Sequence, residues 1–88
     1  MLESKRTSLY KSEIKKIKNK KILEELKTVL SLLIDEERLP DKYLLHPLIG
    51  NYAGYMECHI RPDILLIFNI EEKTLYLYRI GSHSKLFK

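Results

Sequence analysis

The chain has 88 residues, 44% of them hydrophobic and 32% charged, with a net charge of +4. That size and composition fit one soluble domain, 1–88, with a modest core. A lone cysteine, Cys58, excludes an internal disulfide scaffold and fits a reducing cytoplasm; the charged N-terminus has no signal-peptide core, and the longest apolar run, Ile64 to Ile70, is too short to cross a bilayer.

The positive charge is concentrated. Residues 1 to 21 hold eight Lys or Arg against two acids, Glu3 and Glu13. Such a face can follow a phosphate backbone, meet an acidic partner, or simply be solvated. Residues 1 to 7 read as an edge strand. Thr7 or Ser8 can cap a helix, and Tyr10, Ile14 and Ile17 then fall at helical spacing. Asn19 breaks that stripe. The second helix, from Lys21 to Glu36, carries Ile22, Leu26, Val29, Leu30 and Leu33 on one face with no glycine or proline. The short link between the helices predicts an antiparallel helical hairpin.

Leu39-Pro40-Asp41 ends the helical half, and residues 43 to 49 read as a loop with His46 held extended by Pro47. Alternation then appears. Met56, Cys58 and Ile60 point to the core, while Tyr55, Glu57 and His59 share the opposite face. Pro62-Asp63 marks a turn, and Ile64 to Ile70 reads as a central strand covered on both sides. A polar connection through Glu71-Glu72-Lys73 leads to a strand from Leu75 to Ile80. There Leu75, Leu77 and Arg79 share one face and Tyr76, Tyr78 and Ile80 the other. Leu86 and Phe87 predict docking of the C-terminal segment. The fold class is therefore α+β, a helical hairpin on a small antiparallel sheet.

All three histidines, His46, His59 and His83, lie at strand ends or turns in the second half. With Asp63 and Arg79 they could supply the general acid, general base and fixed cation that metal-free cleavage of RNA needs. Imidazole and carboxylate exchange protons near neutral pH, and a guanidinium holds a charged phosphate. A zinc site from His46, His59, Asp63 and His83 is the competing chemistry, although the spacing matches no familiar pattern. Cys58 points with the core set and is a poor nucleophile candidate. Tyr55 is available to stack on a base. Phe87 is either a core plug or a ring against substrate.

The blocks His46-Pro47-Leu48-Ile49-Gly50, Gly54-Tyr55, Glu57-Cys58-His59-Ile60-Arg61-Pro62-Asp63, Leu65-Leu66-Ile67-Phe68 and Arg79 through Phe87 resemble the YafQ-type branch of the RelE/ParE toxin superfamily. The resemblance implies a RelE-like fold and a cytoplasmic type II toxin that cuts messenger RNA in the ribosomal A site, with no cofactor and no metal. It implies a cognate antitoxin as partner, the toxin being monomeric when free and in a higher-order assembly when bound. On the family pattern His46, His59, Asp63, Arg79 and His83 are the catalytic positions, and Glu57, Arg61, Lys85 and Phe87 contact RNA. Asp63 or His59 is the base, His83 the acid, and His46 supports the phosphate or shares the acid role. Three positions depart from the pattern: Met56 replaces a common arginine, Ile64 a tryptophan, and Leu45 an acid that would orient His46. The alternatives are a toxin-fold protein that acts by binding, as gyrase-poisoning relatives do, and a degenerate member that binds only antitoxin or RNA.

Overall fold

The computed structural model describes residues 1–87. β1 (Glu3–Arg6) leads into α1 (Ser8–Ile14) and α2 (Lys20–Ile34). Two single 3₁₀ turns, Asp41–Tyr43 and Gly50–Tyr52, flank the two-residue β2 (His46–Pro47). β3 (Met56–Arg61), β4 (Ile64–Glu71), β5 (Thr74–Ser82) and the one-turn α3 (His83–Leu86) follow.

Local chemistry sets the helix ends. Thr7 is the cap of α1: its hydroxyl oxygen accepts the Tyr10 N–H at 3.0 Å and its O–H donates to the Tyr78 carbonyl at 2.6 Å. The helix stops at Ile14, one turn short of Ile17, which still packs on the core from the connecting loop. Asn19, which interrupts the apolar stripe, is the N-cap of α2 and accepts from Lys21 N–H and Ile22 N–H. At the other end Glu36 takes a left-handed conformation (φ 58°). The Glu37 and Glu36 amides then close back on the Leu32 and Leu33 carbonyls.

The sheet order is β1-β5-β4-β3-β2. β2 to β5 form the antiparallel meander read from the sequence. β1 is the edge strand anticipated for residues 1 to 7, but it pairs parallel to β5, so the sheet is mixed rather than wholly antiparallel. No face pattern in Glu3-Ser4-Lys5-Arg6 could have fixed that direction, since all four residues are exposed. The segment read as a loop before Ile49 also contains a strand, β2, whose pairing with β3 sets His46 opposite Glu57.

β4 lies at the centre and is covered on both faces. Leu66 and Phe68 join Cys58, Ile60, Leu75, Leu77 and Ile80 under Tyr10, Leu26, Val29 and Leu33 of the helices. Leu65 and Ile67 face the other way, beneath Leu86 and a fringe of Leu48, Tyr52, Tyr55, Tyr78 and Phe87. Burying each large apolar side chain contributes roughly 1.5–3 kcal/mol. α1 rests on β5 and α2 on β3. The predicted docking of the C-terminal segment is seen directly, with Leu86 buried and Phe87 edge-on to Tyr52.

The alternation read for β5 fails at one point. The register with β4 slips between Ile67 and Phe68, which face Arg79 and Leu77, so Tyr78 is an extra bulged residue. Ile80 consequently joins Leu75 and Leu77 in the helix-side core rather than opposing them. Tyr78 packs with the second cluster. Strict period-two counting cannot see a bulge.

The β4–β5 hairpin is longer than the sequence suggested and turns on Glu72 and Lys73 alone, with φ of 48° and 63°. Two consecutive positive values are those of a type I′ turn, which favours Asn-Gly. Replacing Glu72-Lys73 by Asn-Gly should raise stability by about 1 kcal/mol. Urea unfolding of the two proteins checks this, and an unchanged or lower midpoint would contradict the turn assignment.

Candidate functional site

The face of the sheet opposite α1 and α2 carries the polar residues. On β3, Glu57 and His59 point to it, and β2 brings His46 beside them. Glu57 is only 6% exposed, and a buried carboxylate requires partners. Its Oε1 lies 3.2 Å from His59 Nε2 and 3.5 Å from His46 Nε2. The other nitrogen of His46, Nδ1, sits 2.8 Å from the Leu44 carbonyl oxygen. A carbonyl can only accept, so Nδ1 carries a proton, and Nε2 donates to Glu57 only when the ring carries a second one. Leu44 itself is left-handed (φ 49°), an uncommon conformation for leucine, and this bend is where its carbonyl meets the ring. His59 Nδ1 is buried and has no hydrogen-bond partner among the described residues.

Sequence reasoning placed Glu57 among RNA-contacting groups. In the structure its carboxylate is buried between two imidazoles. The structure also corrects the reading of Leu45: the carboxylate that orients His46 is supplied by Glu57 across the β2–β3 pair, so an acid at position 45 is not needed for that job. Met56 packs toward the helix-side core, away from Glu57 and His59, so the missing arginine does not remove a charge beside them. Ile64 also packs on the helix side.

Further along the same strands, His59, Arg61, Pro62 and Asp63 line a groove with Glu25, Lys42 and Tyr43. His59 and Asp63 thus flank one bend, as the Pro-Asp turn implied, with Asp63 exposed at its tip. Cross-strand rows relate β3 to β5: Glu57 is level with Ile67 and Arg79, and His59 with Leu65 and Gly81. Two strand spacings put the outer backbones of each row roughly 10 Å apart. α3 begins two residues after Gly81, with His83 exposed and its ring 5.0 Å from Phe87. Leu86 packs on Gly81, its Cδ2 3.5 Å from where a Cβ would stand, and this seats α3 on the sheet.

Arg79 is not a free side chain. Its NH2 donates to Glu13 Oε2 at 2.6 Å and its Nε to the same carboxylate at 3.2 Å. Glu13 also accepts the Ile80 N–H at 3.2 Å. Glu13 was absent from the sequence-derived site. The one signal for it was a lone acid within the lysine-rich stretch from Ser8 to Lys21. Tyr55 is partly buried and stacks one face of its ring on Tyr78, with centroids 4.8 Å apart. Phe87 packs edge-on against Tyr52 and remains half-buried beside His83. Lys85 lies on a separate groove with Lys16, Lys18 and Ser82.

Among the described residues, the donor atoms that converge are those of His46, Glu57 and His59, which lie within 4.8 Å of one another. Two imidazoles and a carboxylate suit a transition-metal cation. The zinc set read from the sequence is therefore wrong in two members, since neither Asp63 nor His83 joins this cluster. Cys58 is fully buried, and burial with the neighbouring Glu57 charge pushes its thiol up to about 12, which removes it as a nucleophile.

A five-stranded mixed sheet with helices on one face and a histidine–carboxylate cluster on the other is the architecture of the RelE-like toxins. A crystal structure of a mutant Escherichia coli YafQ matches it at a TM-score of 0.87 and 30% identity over 100% of both chains. Residues 2–88 match the family described as bacterial toxin of type II toxin-antitoxin system, YafQ, and the chain belongs to that family. It is 39% identical over 71 residues to the mRNA interferase toxin YafQ of Escherichia coli K12, covering 80% of this chain and 77% of that protein. YafQ in the E. coli DinJ-YafQ complex superimposes with a TM-score of 0.85 at 29% identity over 100% of both chains. A metal-bound toxin from Helicobacter pylori does so at 0.86 and 36% identity, over 99% of this chain and 100% of that one.

Cys58 and Tyr43 should govern alkaline stability. Tyr43 is also pushed up to about 12, by burial first and then by its hydrogen bond to Glu25. Both groups hold their protons more tightly folded than unfolded, so stability is intact below about pH 9 and falls as pH rises toward 12. Denaturant unfolding at pH 8 and pH 10.5 should show this loss, and Cys58→Ala should show a smaller one. An equal loss in both proteins would mean the thiol is not the titrating group.

Proposed function

We propose that this protein is the toxin of a type II toxin–antitoxin pair and acts as an endoribonuclease on messenger RNA in the cytoplasm. The observation that carries the reading is the acid–base set at the ends of β3 and β5, with a fixed guanidinium beside it, in a chain of the YafQ family. Among the described residues no helix is long and apolar enough to cross a membrane. The relative named mRNA interferase supports the RNA substrate, and the DinJ complex supports a protein antitoxin as partner. Cleavage is assigned to translated message in the ribosomal A site, where the basic helices can meet RNA. The single functional unit spans residues 1–88.

The chemistry is transfer within the RNA. A base removes the 2′-hydroxyl proton, the 2′-oxygen bonds to the adjacent phosphorus, and the bond to the 5′-oxygen breaks as an acid protonates it. Products carry a 2′,3′-cyclic phosphate and a 5′-hydroxyl. Asp63 is favoured over His59 as base: His59 Nε2 is held by Glu57 and its Nδ1 is buried, whereas Asp63 is open to substrate. His83, equally open, is the acid. Arg79 stabilises the charged phosphorane, and Phe87 beside His83 gives a sugar or base a surface to rest on. Arg61 and Lys85 flank the path of the backbone. His46 and Glu57 hold His59 in place and set the local field.

Purified protein added to a cell-free translation reaction should give discrete cuts in translated message, with 5′-hydroxyl ends mapped by primer extension. The cuts should persist with EDTA kept below the level that strips ribosomal magnesium. His83→Ala should lower the rate by about 10²–10⁴-fold with the fold intact. Full activity in the folded variant would remove His83 as the acid.

The cluster of His46, Glu57 and His59 also offers a transition metal a seat, and the metal-bound H. pylori relative supports this. A cation there would tie up the imidazoles rather than take part in the acid–base steps. Copper(II) should therefore raise the melting temperature and slow cleavage, both reversed by chelation. Glu57→Gln should lose most of the thermal shift, and a shift unchanged in that variant would place the metal elsewhere.

A further inference from the structure

Glu13 is the one acid between Ser8 and Lys21, a stretch with six lysines, yet its side chain is 14% exposed and points inward. β1 ends at Arg6, opposite Leu77, and the edge of β5 beyond that point has no neighbouring strand. Glu13 stands in for one. A single carboxylate accepts the Ile80 N–H and grips the Nε and NH2 side of the Arg79 guanidinium. A guanidinium has five N–H donors on a planar fork. This grip uses one side of the fork; the Tyr52 hydroxyl, which donates to the Leu86 carbonyl, also lies against the guanidinium as an acceptor, and the donors that remain are left for a phosphate. The Tyr78 bulge immediately before Arg79 adds to the need for such a tie, since the edge is irregular where the guanidinium must be aimed.

We propose that Glu13 is a positioning residue: it fixes the Arg79 guanidinium so that the free edge of its fork is presented to the RNA phosphate, which makes α1 part of the active-site machinery. This rests on the reading of Arg79 as the phosphate-binding group. The geometry is preorganised. A long, flexible side chain is held before substrate arrives, and the phosphate meets the unused donors without displacing the carboxylate.

The sign of one measurement separates this from the alternatives. Removing a carboxylate beside an RNA site makes the protein more positive, which on charge alone tightens RNA binding. Loss of positioning weakens it. Affinity for a non-cleavable 2′-O-methyl RNA oligonucleotide would be measured for wild type, Glu13→Gln, Arg79→Ala and the double variant, each checked for a native melting transition. The expected result is about tenfold weaker binding in Glu13→Gln, with no further loss when Glu13→Gln is added to Arg79→Ala. Unchanged or tighter binding in Glu13→Gln, with Arg79→Ala weakened, overturns the positioning role alone. Wild-type binding in Arg79→Ala overturns the phosphate reading and the inference with it. A second test needs no Glu13 variant. The Arg79 Nε–H signal in the NMR spectrum, assigned by its loss in Arg79→Lys, should exchange slowly and persist when RNA is added. Exchange as fast as that of an exposed arginine would overturn the proposal.

Discussion

β4 is apolar on both faces, and a strand of that kind is stable only where something covers each side. Leu66 and Phe68 meet the helices on one face, and Leu65 and Ile67 meet Leu86 and the tyrosine fringe on the other. The rest of the molecule follows from this requirement. The two helices cover one face fully. The second face is covered only in part, by a short C-terminal turn and aromatic rings, and its uncovered portion is where Glu57, His59 and Arg79 emerge from the rows flanking Leu65 and Ile67. The site is thus a polar margin around a small apolar patch, and the same packing that seats α3 brings His83 to it.

Two buried or half-buried carboxylates organise that margin. Glu57 holds His46 and His59 from the β2–β3 side, and Glu13 holds Arg79 from the α1 side. Each acid gives a fixed partner to side chains that would otherwise lack one. This division explains how an open, shallow site keeps its groups oriented. Both acids restrict the rotamers of the side chains they hold. The basic surface of residues 11 to 21 lies beside this arrangement rather than in it, with Lys16 and Lys18 lining a neighbouring groove.

Much of the fold was legible in the residues. The capping side chain at Thr7, the uninterrupted leucine face of α2, the two-sided apolar run of β4 and the docking of Leu86 each follow from local pattern, because local geometry and burial act within a few residues. So did the candidate acid–base positions, since His46, His59, Asp63 and His83 sit at strand ends or turns that proline and glycine mark in the sequence. The direction of β1 was not legible, for its four residues are all exposed and carry no face signal. Nor was the Tyr78 bulge, which depends on how β5 meets β4 and shifts the phase of everything after it.

What the sequence by itself determined is the set of elements and the kind of chemistry available: an α+β chain, a basic helical segment, and histidines with Asp63 and Arg79 beside turns. What only the tertiary structure decided is which of these side chains are engaged. Glu57 became a buried partner of two imidazoles once β2 paired with β3, and Met56 packs with the helix-side core. Glu13 reached Arg79 across 66 residues of sequence because α1 lies over the unpaired edge of β5. Pairings of that separation carry no periodicity. They arise from the need of each buried charge and each open strand edge to find a partner, and only the folded chain shows where that partner is.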